Sequence, residues 1–178
     1  MTCDLAIVNS RVFACGQLLD AGIAIDNEKI IAIADDSMLP KSDRTIDAQG
    51  NLILPGLIDV HVHFRDPGFT QKEDFLTGSQ AAAAGGVTTV IDEPNNQPAT
   101  TTLEALEQKT RIAEQKSVVD FSFSVGLNPR NIGTIPDFRS RGIVSFDIFE
   151  DGMGEELSIT GTKTMIDALA RVRQVDAL

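Results

Sequence analysis

The sequence predicts an α/β chain: a partial TIM (β/α) barrel of about four βα units, preceded by a small antiparallel β-sandwich-like unit. Three observations predict it. Residues 1–53 alternate apolar and polar in short runs, and after Pro55-Gly56 strand-like runs alternate with helical ones at starts about 25 to 30 residues apart, the size of a βα unit. Polar residues then gather where the predicted strands end, the side on which parallel α/β sheets build their sites.

The first unit, residues 1–53, contains "LAIVNSRVF", "AGIAIDNEKIIAIAD" and "RTIDAQGNLIL". In "AIDNEKIIAI", Asp26-Asn27 stands between two period-2 runs and signals a hairpin. Pro55-Gly56 punctuates the chain, and residues 54–178 follow a different grammar. Four strands are expected in "LIDVHVHF", "GVTTVID", "VVDFSFSV" and "GIVSFDIF". The helices between and after them are expected in "EDFLTGSQAAAAGG", "TTLEALEQKTRIAEQ", "IPDFRSRG" and "TKTMIDALARVRQV". Thr101 and Glu104 have capping-box spacing, and Leu103, Leu106, Thr110 and Ala113 fall near one face of the helix they open. Met165, Leu169 and Val172 do the same for the last helix. Four strands do not close a barrel, so the edges of the first and fourth should be open and the helix faces partly uncovered.

With 42% hydrophobic and 23% charged residues, the chain can bury a core and is not composed like a disordered or fibrous protein. Its net charge of -11 is spread without a long acidic run, which argues against nucleic acid and anionic membrane as partners. The start, "MTCDLAIVNSRVF", lacks the basic segment of a signal peptide, and no apolar run reaches the roughly 20 residues of a membrane span. With only Cys3 and Cys15 and no export signal, free thiols are expected rather than a disulfide, and the cytoplasm is the default address.

The only two histidines, His61 and His63, stand one residue apart at the end of the first barrel strand. Residues two apart in a strand point to one side, so the imidazoles should converge while Val60 and Val62 pack the other way. Two imidazoles so placed form a two-nitrogen grip for a zinc-like ion. The bland alternative is a pair of satisfied surface side chains. The buried-looking strand before them and Arg65-Asp66 after them favour the metal.

"PGLIDVHVHFRDPG" resembles the signature of the amidohydrolase superfamily, and "KEDFLTGSQAAAAGGVTTVIDEPNNQPATTT" resembles its dihydroorotase branch, beside allantoinases and hydantoinases. "IDAQGNLILPG" is similar to the passage by which such proteins leave their β-sandwich for the barrel. The resemblance runs from about Leu5 to about Val125. It implies a cytoplasmic zinc enzyme of pyrimidine biosynthesis, holding one or two ions, that interconverts dihydroorotate and N-carbamoyl-aspartate. It further implies that His61 and His63 are metal ligands and that Arg65 and Asn95 hold the substrate's carboxylate. An arginine suits an anionic cyclic ureide, whereas allantoinases tend to carry a neutral residue there.

The sequence departs from the pattern in two places. Glu93 stands where dihydroorotases usually have Met. "FDIF" aligns with the segment in which many relatives carry a metal-bridging carboxylated lysine, which makes Asp147 the acidic ligand; a second alignment, on "FEDG", nominates Glu150 or Asp151 instead. The family's remaining histidines and its catalytic aspartate come from strands five to eight, so the chain reads as the N-terminal portion of a larger protein, with no catalytic residue of its own assigned. A homo-oligomer or association with the missing half is the implied assembly. The alternatives are an allantoinase- or hydantoinase-type cyclic amidase, a non-catalytic scaffold subunit, and a self-contained four-strand binding module.

Overall fold

The computed structural model describes residues 2–150 and 153–178, which divide into two compact units, Met1–Pro55 and Gly56–Leu178. The first holds β1 (Thr2–Val8), β2 (Arg11–Ala14), β3 (Gln17–Asp20), β4 (Gly22–Asp26), β5 (Lys29–Ala34), β6 (Lys41–Asp47) and β7 (Leu52–Ile53). They form two sheets, ordered β5-β4-β1-β6 and β3-β2-β7. The β4–β5 hairpin turns at Asn27-Glu28, one residue later than the sequence suggests. Both residues have positive φ, 47° and 63°, the mirror-image turn whose twist matches that of paired strands.

This unit is not purely antiparallel. β6 runs parallel to β1 and β7 parallel to β2. Alternation marks a strand but carries no direction; direction is set by connections, here ones that carry β6 and β7 past the hairpin neighbours to strands formed earlier. Cys3, Ala6, Val12, Ile23 and Ala24 make a small core, and Cys3 (buried) and Cys15 (exposed) are both free thiols, as expected.

The second unit alternates strand and helix: β8 (Leu57–Val62), α1 (Phe75–Ala84), β9 (Val87–Asp92), α2 (Leu103–Lys116), β10 (Asp120–Gly126), α3 (Ile135–Ser140), β11 (Ser145–Asp147) and α4 (Thr162–Gln174). The strands form one parallel sheet in the order β11-β10-β9-β8, so β8 and β11 are its edges. Gly56 opens β8 because any Cβ there would collide with the Thr88 side chain. Asp74 caps α1 by accepting from the Thr77 N–H at 2.9 Å. α2 is capped by Thr102, which accepts from the Ala105 N–H at 3.2 Å, not by Thr101, which is buried one residue earlier.

Phe64, Phe75, Val90, Leu106, Phe123, Val125, Ile135 and Phe138 form the centre of the apolar core between sheet and helices. Phe75 is fully buried and meets Phe64 and Phe123 edge-on, with centroids 5.5 Å and 6.1 Å away. β8 is less buried than its apolar run suggests. Val62 packs against the core, but Val60 remains 61% exposed and Ile58 64%, because an edge strand has a sheet neighbour on one side only. In α4 the buried stripe is Ala168 and Val172 with Met165 against it, whereas Leu169, expected on that stripe, is exposed beside Ile166. None of the helices among the described residues is long and apolar enough to cross a membrane.

Candidate functional site at the carboxyl ends of the strands

The ladder registers pair Val62 with Asp92 and Gly126 with Asp147, which aligns the strand ends along one rim. His61 is the penultimate residue of β8 and His63 the first beyond it. Their rings meet edge-on, with centroids 5.1 Å apart, so the strand period does bring them together. His63 is half-buried and its Nδ1 lies 3.0 Å from Asn95 Oδ1; because an amide oxygen only accepts, Nδ1 is the donor and Nε2 is left to other partners. His61 is open to solvent, and its Nδ1 lies 3.1 Å from Glu93 Oε1. An oxygen partner on one ring nitrogen that frees the other is the usual setting of a metal-binding imidazole.

Asp92, the last residue of β9, and Glu93 and Asn96 in the segment after it are buried. Glu93 reaches His61, and the Asp147 carboxylate lies near enough to act on its charge. Burial first, and then the Asp147 carboxylate, push the Glu93 carboxyl up to about 8. Asp147 closes β11, half-buried, and its Oδ2 is buried without a hydrogen-bond partner. Of the alternative acids, Glu150 is exposed and Asp151 lies outside the described residues.

Arg65 lies past the end of β8, so strand periodicity no longer aims it. Its backbone turns left-handed at φ 61°, and its side chain is half-buried with no ion pair among the described residues. The acids beside it are engaged elsewhere: Asp66 with Lys116 at 2.7 Å, and Glu73 with Thr77. Among the described residues, no three His, Cys, Asp or Glu side chains gather closely enough to hold an ion. The structure thus joins His61 to His63, His63 to Asn95, and His61 to Glu93.

Sequence reasoning missed Lys109. It lies on α2, 1% exposed, with its ammonium 2.7 Å from Asp92 Oδ2, from the Glu93 carbonyl and from Asn96 Oδ1, and 4.9 Å from the centre of the Phe123 ring. Burial pushes Asp92 up and Lys109 down, and each charge opposes the other's shift. Lys109 stands three residues after Leu106 and four before Ala113, so a cation on an apolar stripe was the available signal.

Parallel strands that bring imidazoles, buried carboxylates and an amide to one rim define an α/β enzyme frame. The chain belongs to the amidohydrolase family, whose pattern matches residues 52–171. A dihydroorotase of Methanosarcina acetivorans is 44% identical over 176 residues, covering 98% of this chain and 37% of its own length. A dihydroorotase of Lactobacillus johnsonii is 38% identical over 170 residues, again covering 94% of this chain and 38% of that protein. Among solved structures, the L-hydantoinase (dihydropyrimidinase) of Arthrobacter aurescens superposes with a TM-score of 0.88 at 28% identity, over 98% of this chain and 39% of that one. The chain therefore spans a little over a third of the relatives it matches.

Proposed function

We propose that this chain is the N-terminal portion of a dihydroorotase-type cyclic amidohydrolase, a cytoplasmic zinc enzyme of pyrimidine biosynthesis that interconverts dihydroorotate and N-carbamoyl-aspartate. In this reading residues 1–53 contribute to a β-sandwich, residues 54–178 are the first four βα units of a barrel, and a further barrel half completes the active site. The observation that carries it is the pair of edge-on imidazoles His61 and His63, the second hydrogen-bonded to Asn95, with Arg65 two residues on and without an ion pair among the described residues, in a chain 44% identical to a dihydroorotase.

Two imidazoles side by side are donors of the kind zinc takes, and Asp147 carries a buried oxygen without a partner, although among the described residues the three do not gather around one point. In a completed barrel His61, His63 and Asp147 would hold the ion, which would supply Lewis acidity, polarising an amide carbonyl and acidifying a water. The rest is the work of this chain's own groups. Asn95 fixes the His63 ring through its oxygen, which leaves its NH₂ to donate to a substrate carboxylate. Arg65 has no competing ion pair among the described residues, so its guanidinium can grip that carboxylate with two parallel bonds. Glu93 orients His61, and among the described residues it forms no ion pair with Arg65 that would cancel that cation.

Zinc content by elemental analysis of the native chain and of His61→Ala tests the reading. About one equivalent in the native chain, lost in the variant, is expected. Less than about a tenth of an equivalent in both would make the chain a scaffold rather than a half-site.

A further inference from the structure

The buried ammonium of Lys109 takes part in no step above, yet it touches three residues of the rim. It is ion-paired with Asp92 Oδ2 at 2.7 Å and donates at the same distance to the Glu93 carbonyl and Asn96 Oδ1. Each acceptor leads on to a second loop. Asp92 Oδ1 accepts from the Phe64 N–H at 2.6 Å, next to His63. Asn96 Nδ2 donates to the Asp66 carbonyl at 3.2 Å, next to Arg65, and the Glu93 side chain reaches His61. Asn95, which holds His63, lies between two of these anchored residues.

We propose that Lys109 is a positioning residue: from the core side it locks the loops after β8 and β9 together, and so fixes where His63, Arg65 and Asn95 present their polar atoms. A cation does this where a neutral group could not, because one ammonium holds three inward-turned oxygens at once, two by hydrogen bonds and the charged one as an ion pair. A lysine serving only to neutralise Asp92 would need the first of its three contacts. The other two draw the Glu93 carbonyl and Asn96 inward, and with them the segment that carries Asn95. The inference rests on the proposed roles of His63, Arg65 and Asn95 for its functional meaning, but its geometry stands without them.

The test is made on the metal-free chain by NMR, above the imidazole titration range, with Lys109→Met and the charge-neutral pair Asp92→Asn with Lys109→Met. In both, exchange of the Phe64 amide proton should accelerate about tenfold or more relative to the amides of Phe123 and Val125. The His63 ring, held as the Nδ1–H form by Asn95, should become a mixture of tautomers. Zinc binding measured in parallel should weaken about 10- to 100-fold, the range seen when a group orienting a metal ligand is removed. If Lys109→Met does not fold, the paired variant carries the same readouts.

Unchanged Phe64 exchange and an unchanged His63 tautomer would overturn the inference. So would loss of protection spread equally over Phe123 and Val125, since that is what a purely structural ion pair gives. A native chain that binds no zinc would sink the proposed function alone, because the exchange and tautomer readouts need no metal.

Discussion

Gly78 lies in the middle of α1, where replacing glycine by alanine ordinarily stabilises a helix by about 1 kcal/mol. Here the opposite is expected. A Cβ at Gly78 would stand 2.5 Å from Cδ1 and Cε1 of Phe64 and 3.1 Å from its Cγ, so the ring must move by about 1 Å to restore ordinary contact. The ring has nowhere to go. It is 6% exposed, it stands edge-on to the fully buried Phe75, and its own backbone N–H is tied to Asp92 at 2.6 Å. Overpacking of a closed core costs about 1–3 kcal/mol, and a clash with three atoms of a rigid ring belongs at the upper end. Gly78→Ala should therefore destabilise the chain by about 1–2 kcal/mol net, read as a lower urea midpoint at unchanged slope. In a Phe64→Leu background the clash is relieved and the same substitution should raise the midpoint. A higher midpoint for Gly78→Ala in the native background would refute the reasoning, since the ring would then have room that the packing denies it.

Asn131→Ala should cost at least about 2 kcal/mol by chemical denaturation, because its buried side chain donates to the Thr101 and Gly126 carbonyls and accepts from the Asn128 N–H, and none of the three has another side chain to turn to. In the metal-free chain, stability should fall as pH rises from the ordinary carboxyl value of 4.5 towards about 8: in that window folded Glu93 keeps a proton that the unfolded chain has released. Urea midpoints across that range should slope for the native chain and flatten for Glu93→Gln. Ile166 and Leu169, 61% and 54% exposed on one side of α4, should bind a hydrophobic dye; Ile166→Lys with Leu169→Glu should reduce that binding while changing stability by less than about 0.5 kcal/mol each.

Much of the second unit was legible because its alternation of strand and helix is written in local periodicity, and all four strands and four helices lie where those runs stand. Ends were read less well. Thr101 and Thr102 are equally good caps by type, and only the backbone decides that Thr102 reaches the Ala105 N–H. The parallel returns of β6 and β7, and the exposure of Val60 and Leu169, depend on which elements lie beside them, and a single strand's pattern does not record that. The His61–His63 pair and its link to Asn95 could be anticipated from a two-residue period and a family signature. The Glu93 contact with His61 joins residues from neighbouring strand ends, and the Lys109 cluster is hidden because a lysine on a helix normally reaches solvent.

The burial of Lys109 has a practical corollary. An amine that is 1% exposed and gripped by three oxygens is shielded from acylating reagents, whereas Lys29, Lys41, Lys72 and Lys163 are exposed and Lys116 is only partly covered. Brief treatment with such a reagent should therefore modify those five first. The modified fraction at position 109, followed by peptide mass spectrometry, then becomes a clock for how often the rim opens.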